Sequence, residues 1–460
     1  MKNVLVVILI FLSLKAKGQD AQIEIPETYE LSNIILALTN YGITDEWEVQ
    51  KNTTYYKEVL SYFEPVKNHP LLDSVNYSRE KWKDYLSFRT DAAAFSFDGN
   101  GKLKRDFEFY ANEGHNPFDK NLDLINDFIS KSGYRQFYNS HKELYRRIVT
   151  DYEAYNYVNE SLRFLEKNIA HHTGDTGITY KIILSPLVLR MNCHRNLSLY
   201  VVADFPSAST GFINGIKDMG SIENRLDSNH GIFTEKDHEY INPITSKYTK
   251  LVNTGFKYTF WDKDSGYKGI DSFNEYMTWA LYDLFLEEYF PEDAKKRSTY
   301  WAYQNASRGF FAHNLFSDKV KELYKKNKNK PFENIYKPLL KWTKKVEKTI
   351  SQPVLLTTDS DNYITLTIND VQLEFSEPMN TTLPIGLEIR ELNNHRATGN
   401  NVFTELHDFN WSEDAKKLSF KITTTYKEFA LVFNWWGIDK PLISKKGVFL
   451  QPSAYVLFKQ

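Results

Sequence analysis

The chain has 460 residues, 42% of them hydrophobic and 15% aromatic, which is enough to build two domains around large cores and excludes extended disorder. Lysine and arginine number 57 against 59 aspartates and glutamates, a formal charge of -2, so no overall field selects nucleic acid or an anionic membrane. A single cysteine, Cys193, excludes an intramolecular disulfide and a cysteine-based zinc site.

Met1-Lys2-Asn3 is a basic start to an apolar run from Val4 to Leu14 that is too short to span a bilayer comfortably. Ala16-Lys17-Gly18 then sets small residues at the two positions a signal peptidase reads, so residues 1–18 are expected to be a signal peptide cleaved before Gln19, leaving no membrane span. No cysteine lies at that point, which excludes a lipid-modified terminus. The expectation is an exported protein of the periplasm or cell surface, stabilised by its core instead of by disulfides.

Apolar residues recur every three to four positions in Tyr29–Leu38 and Tyr55–Phe63, which predicts helices, and a long helical stretch is expected from about Tyr134 to Ala170. The period then changes. Gly177–Leu187 and Leu197–Ala203 are rich in β-branched and aromatic residues and read as two strands, with Cys193 buried between them. Tandem His171-His172 beside Thr173-Gly174-Asp175 reads as an exposed loop, because adjacent side chains on regular structure point apart. A helix follows, with Asp227-Ser228-Asn229 as capping residues and Pro243 as its end. Further helices are expected over Asp271–Leu286, Leu315–Tyr324 and Phe332–Ile350, and the basic run from Lys325 to Lys330 reads as solvated surface.

At Ser351-Gln352-Pro353 the character shifts to short alternating segments. Ile364–Ile368, Val371–Phe375, Leu418–Ile422 and Phe429–Phe433 read as strands at spacings that suit a β-sandwich. The fold class expected is therefore α+β: a helix-rich domain over residues 19–350 followed by an all-β sandwich over residues 351–460. Leu373-Glu374-Phe375-Ser376-Glu377-Pro378-Met379 is similar to the F-S-x-P-M signature of bacterial Ig-like modules, in which Phe375 would pack inward while Pro378 ends pairing. Trp435-Trp436-Gly437 reads as core and edge packing, with a carbohydrate platform as the alternative.

The segment Gly231–Pro243 carries the chemistry worth weighing. A hydrolytic zinc site places two imidazoles one helical turn apart, with a glutamate between them acting as general base on a metal-bound water. Thr234-Glu235-Lys236-Asp237-His238 has that H-E-x-x-H spacing with the first histidine replaced by threonine. His238-Glu239-Tyr240-Ile241-Asn242 has it with the second replaced by asparagine. Each frame lacks one ligand.

With its Tyr240-Ile241-Asn242-Pro243 ending, the segment resembles a group of exported bacterial proteins of similar length that look like gluzincin-type zinc metallopeptidases. The resemblance covers most of residues 27–350 and implies a zincin-like fold. It aligns Thr234 with the first ligand, Glu235 with the general base, His238 with the second ligand and Glu275, in Phe273-Asn274-Glu275-Tyr276, with the third. Threonine is a poor zinc ligand, so the resemblance implies a degenerate site and a pseudoenzyme that binds a peptide or protein in the old cleft. If the protein is active, zinc is the cofactor, and a nitrogen from His230 fills the vacancy, given an irregular helix start. An edge strand near Ile182–Leu184 would then hold an extended substrate by strand addition. Two further readings stay open. Glu235, His238 and Glu239 are solvent-facing residues on a surviving scaffold, or the chain is a non-enzymatic surface protein that recognises peptide or glycan.

Overall fold

The computed structural model describes residues 20–169, 179–199, 201–208, 210–215, 221–263, 265–328, 330–357, 363–364, 371–393, 396–401, 405–424, 427–433, 440, 442–451 and 454–459. The expected signal peptide, the His171-His172 loop and Trp435-Trp436-Gly437 lie outside them. The fold is mixed α+β and dominated by helix. Two compact units divide it, Met1–Glu235 and Lys236–Gln460.

The first unit sets helices around a small mixed sheet. Its labelled elements are β1 (Gln22–Glu24), α1 (Glu27–Leu38), α2 (Thr54–Phe63), α3 (Trp82–Asp91), α4 (Tyr134–Ser140), α5 (Lys142–Tyr155), α6 (Val158–Asn168), β2 (Thr179–Ile183), β3 (His194–Ser198), β4 (Val201–Asp204) and α7 (Ile222–Lys236), with further pieces between them that include a helix over Leu122–Ser132. The long helix expected from Tyr134 is broken twice, at His141 and at Asn156-Tyr157, where Tyr157 takes φ 53° and resets the chain direction. The apolar run Leu197–Ala203 is divided between two strands, because an antiparallel hairpin continues the same alternation on both sides of its turn.

The strand order is β1-β2-β4-β3, with β2 parallel to both β1 and β4 and β3 antiparallel to β4. Ile182 therefore pairs on both sides, with Ile23 and with Asp204, so the segment expected to be an edge is the sheet's interior. Among the described residues the edges are β1 and β3.

Beneath the sheet, α1 is buried along nearly its whole length. It carries Glu30 into the core, where Oε1 accepts from the Tyr55 hydroxyl at 2.7 Å and Tyr55 in turn meets the Tyr145 hydroxyl at 2.7 Å. Burial pushes the Glu30 carboxyl up to about 7, against the opposing hydrogen bonds from Ser185 and Tyr55. Arg89, on α3, is likewise fully buried, and its guanidinium is spent on the carbonyls of Arg190 and Met191.

In the second unit, helices and sandwich pack together. The longer helices are α8 (His238–Lys247), α9 (Ile270–Tyr289), α10 (Pro291–Ser307), α11 (His313–Lys326) and α12 (Tyr336–Val346). Helix α9 is apolar around most of its circumference, as a helix enclosed by α8, α10 and α11 must be. The strands are β5 (Tyr363–Ile364), β6 (Val371–Glu374), β7 (Leu387–Asn393), β8 (Arg396–Asn401), β9 (Glu405–Trp411), β10 (Lys417–Thr423), β11 (Glu428–Phe433) and β12 (Ala454–Lys459). They form sheets of order β8-β7-β11-β12-β5 and β9-β10-β6.

One core joins the two sheets into a sandwich: Val371, Leu373, Leu418, Phe420 and Ile422 from one face meet Ile389, Phe429, Leu431 and Phe433 from the other. Phe375 and Met379 of the F-S-x-P-M segment are buried in that core. The alternate residues of β11, Ala430 and Val432, pack against Ala302, Tyr303 and Ala306 of α10, so β11 is covered on both faces. This contact puts the preceding helices in the same compact unit as the sandwich. The change from helix to strand near residue 350 is real, but the division between units falls at Glu235-Lys236.

Candidate functional site

The helix bearing the zinc-like spacing starts earlier than expected. Helix α7 begins at Ile222, and Asp227-Ser228-Asn229 lie inside it. Their polar groups serve helix contacts in place of a cap: Asn156 Nδ2 donates to Ser228 Oγ at 2.9 Å, and Asn229 Nδ2 donates to Asn156 O at 2.7 Å and Ser161 Oγ at 2.9 Å. The end differs too. Asp237 separates α7 from α8 with its backbone still in the helical region (φ -69°, ψ -18°), and Pro243 sits inside α8. Proline there removes the bond to the Glu239 carbonyl. Burial of Ile241 and Thr245, whose hydroxyl meets Tyr336 Oη at 2.9 Å, outweighs that loss.

His230, Thr234 and Glu235 belong to the first unit. The continuous run of α7 from Ile222 removes the irregular start that would let His230 replace a ligand. His230 is buried and stands one turn before Thr234, about 6 Å along the axis. The Thr234 hydroxyl donates back to Gly231 O at 3.3 Å, within its own helix. Glu235 is half-buried and within electrostatic reach of Cys193, whose thiol is pushed up by burial first and by the Glu235 carboxylate as a smaller contribution. Cys193 is buried and directly precedes β3.

His238 and Glu275 belong to the second unit, on α8 and α9, and they converge. His238 Nε2 lies 3.5 Å from Glu275 Oε1, with the side chains 25% and 13% exposed. A direct charge-assisted hydrogen bond would be about 2.7–2.9 Å long. Two donors bound to one tetrahedral zinc at about 2.0–2.1 Å sit about 3.4 Å apart, so the pair has ligand spacing. One turn further along α9, Thr278 Oγ1 donates to Asp237 Oδ1 at 2.9 Å, pinning the start of α8 to the same helix.

Sequence reasoning missed this second contact, and it misjudged the charges. Lys236 and Asp237 are buried; Lys236 Nζ pairs with Glu239 Oε2 at 3.2 Å. The run that looked too charged to pack is therefore internally compensated. Glu235, His238 and Glu239 are half-buried, which contradicts the solvent-facing reading. The alternative frame gains nothing, since Glu239 is engaged by Lys236 and Asn242 is exposed.

Zinc can be tested against these donors. In the second unit one imidazole and one carboxylate are two ligands where a hydrolytic centre uses three. Among the described residues no group of three or more histidine, cysteine, aspartate or glutamate side chains is arranged to hold a metal ion. The residues do not fit a catalytic zinc, and no hydrolytic step is derived from them. No described helix is long and apolar enough to cross a membrane.

No family model matches the chain, and no curated protein matches it. It is similar at 10% identity to the solved surface layer protein SbsC, domains 1-6, with TM-score 0.18, covering 52% of this chain and 34% of that one. It is similar at the same identity to the N-terminal part of the bacterial S-layer protein SbsC, with TM-score 0.18, covering 94% of this chain and 77% of that one. The chain spans about a third of the length of the first. Likeness this low defines neither fold nor function.

Proposed function

We propose that this chain is an exported relative of gluzincin-type metallopeptidases whose zinc site has degenerated, and that it binds peptide without hydrolysing it. The observation that carries the reading is the 3.5 Å approach of His238 Nε2 to Glu275 Oε1, two positions 37 residues apart that a gluzincin would bring to one ion. Threonine at 234 then accounts for inactivity. Loss of one of three protein ligands costs more than the about 10–100-fold that follows loss of an outer partner. The extended ligand would lie along β3, the antiparallel edge of the first unit's sheet, where main-chain hydrogen bonds supply affinity without catalysis. The sandwich is read as an Ig-like spacer, and the apolar run Val4–Leu14 as the export signal.

The test is metal content and turnover together. Protein purified without chelator should carry far less than stoichiometric zinc and leave a fluorogenic peptide library uncut. Near-stoichiometric zinc with zinc-dependent cleavage would overturn the reading.

A further inference from the structure

Three segments distant in sequence meet at one exposed indole in the first unit. Trp47 is 47% exposed. The guanidinium carbon of Arg79 lies 4.2 Å from its ring centroid, and that of Arg190 lies 4.1 Å from the same centroid. Both arginines are exposed, and among the described residues neither guanidinium has a carboxylate within ion-pair distance.

The platform is held from beneath. Asp45 Oδ2 accepts from the backbone N–H groups of Trp47 at 2.6 Å and Glu48 at 3.2 Å, which commits that carboxylate to the turn. Gln50 N donates to Leu187 O at 2.8 Å and Leu189 N donates to Glu48 O at 3.1 Å, tying the Trp47 segment to the one that carries Arg190. The buried Arg89 donates to the carbonyls of Arg190 and Met191. Met191 has φ 61°, a left-handed conformation that a non-glycine residue keeps only where its surroundings over-determine it. The nearest buried acid, Glu48, has its carboxyl pushed up by burial, against the pull of Arg89, Arg79 and Arg190, which weakens its ability to neutralise the cluster.

We propose that Arg79, Trp47 and Arg190 form a binding site for an acidic polysaccharide, with uronate carboxylates on the two guanidinium forks and the sugar ring packed against the exposed part of the indole. Planar guanidinium groups match carboxylates two bonds at a time, and a cation, an apolar strip and a second cation complement a polymer that alternates anion and apolar ring face. An acidic peptide finds fewer main-chain partners there, because the N–H groups of Trp47, Glu48, Gln50 and Leu189 and the carbonyls of Glu48 and Leu187 are already paired. A bilayer is disfavoured because guanidinium groups lie over the ring that would have to insert. The site stands independently of the peptide-binding reading.

The test is calorimetric titration of the full chain with a defined oligogalacturonate, with maltohexaose, a glutamate-leucine peptide and phosphatidylglycerol vesicles alongside. The oligogalacturonate should bind and maltohexaose should not. The double variant R79Q/R190Q should weaken binding at least about tenfold, the loss expected from one charge-assisted contact or more. In unaltered protein, arginine modification by phenylglyoxal, mapped by mass spectrometry, should be suppressed at Arg79 and Arg190 when the oligogalacturonate is present. Absence of binding, equal affinity in the double variant, unprotected arginines, or tighter binding of the peptide or the vesicles would each overturn the proposal.

Discussion

Glu30→Gln should change the pH dependence of stability in a way that can be worked out from the core. Glu30 is fully buried, and its carboxyl moves from an ordinary 4.5 to about 7 through burial. Between those two values the folded chain holds a proton at this site that the unfolded chain has released. Stability from this group is therefore complete below pH 4.5 and is lost as pH rises through about 7. At about 1.4 kcal/mol per decade of proton affinity, the loss is about 3 kcal/mol. Glutamine stays neutral and can still accept from the Tyr55 hydroxyl, so the variant avoids that loss. Urea denaturation of both proteins at pH 5 and pH 8 should show Glu30→Gln gaining on the unaltered chain by about 2–3 kcal/mol between the two, since part of the loss is already complete at pH 5. Taking the difference between the proteins cancels other titrating groups, including Asp91, which burial also raises to about 7. A stability difference that is the same at both pH values would refute the buried, proton-holding Glu30.

Thr278→Val removes the hydroxyl that donates to the buried Asp237 and should cost about 1.5–3 kcal/mol in chemical denaturation, the range for a hydrogen bond to a charged group. Thr278→Ser should recover most of it, and equal losses in both would show that packing, not the hydrogen bond, is at stake. If β3 holds extended peptides, a photo-crosslinking residue at the exposed Asn196 should capture members of a decapeptide library, while one at the paired, buried Ile182 should not. Equal capture at both would remove the edge-strand assignment.

Local pattern makes some elements legible and hides others for identifiable reasons. Helices α1, α2 and α9 follow from apolar residues at helical spacing, because their burial is what the spacing encodes. The break at Tyr157 carries no glycine to announce it. Pro243 misleads because its local preference is overruled by the packing of Ile241 and Thr245. That the helices before residue 350 and the sandwich after it share one unit is invisible in the sequence, since the contact joining them involves Tyr303 and Val432, more than a hundred positions apart. At the candidate site only the family resemblance connected His238 with Glu275, which approach to 3.5 Å; the spacing of the Thr234–His238 segment by itself does not point to Glu275. Burial of Asp237 was not legible, because its partner Thr278 lies 41 positions away, and Lys236 is paired with Glu239 only three positions on, a spacing that exposed helices use as well as buried ones.

The most direct measurement is zinc affinity of the unaltered chain beside Thr234→His, by competition against a chromogenic chelator. A degenerate gluzincin framework predicts that restoring the imidazole creates a one-equivalent site and raises affinity by at least about two orders of magnitude, in keeping with the cost of lost metal-site groups. Tight stoichiometric zinc in the unaltered chain would contradict the degeneration, and no gain from the histidine would contradict the framework itself.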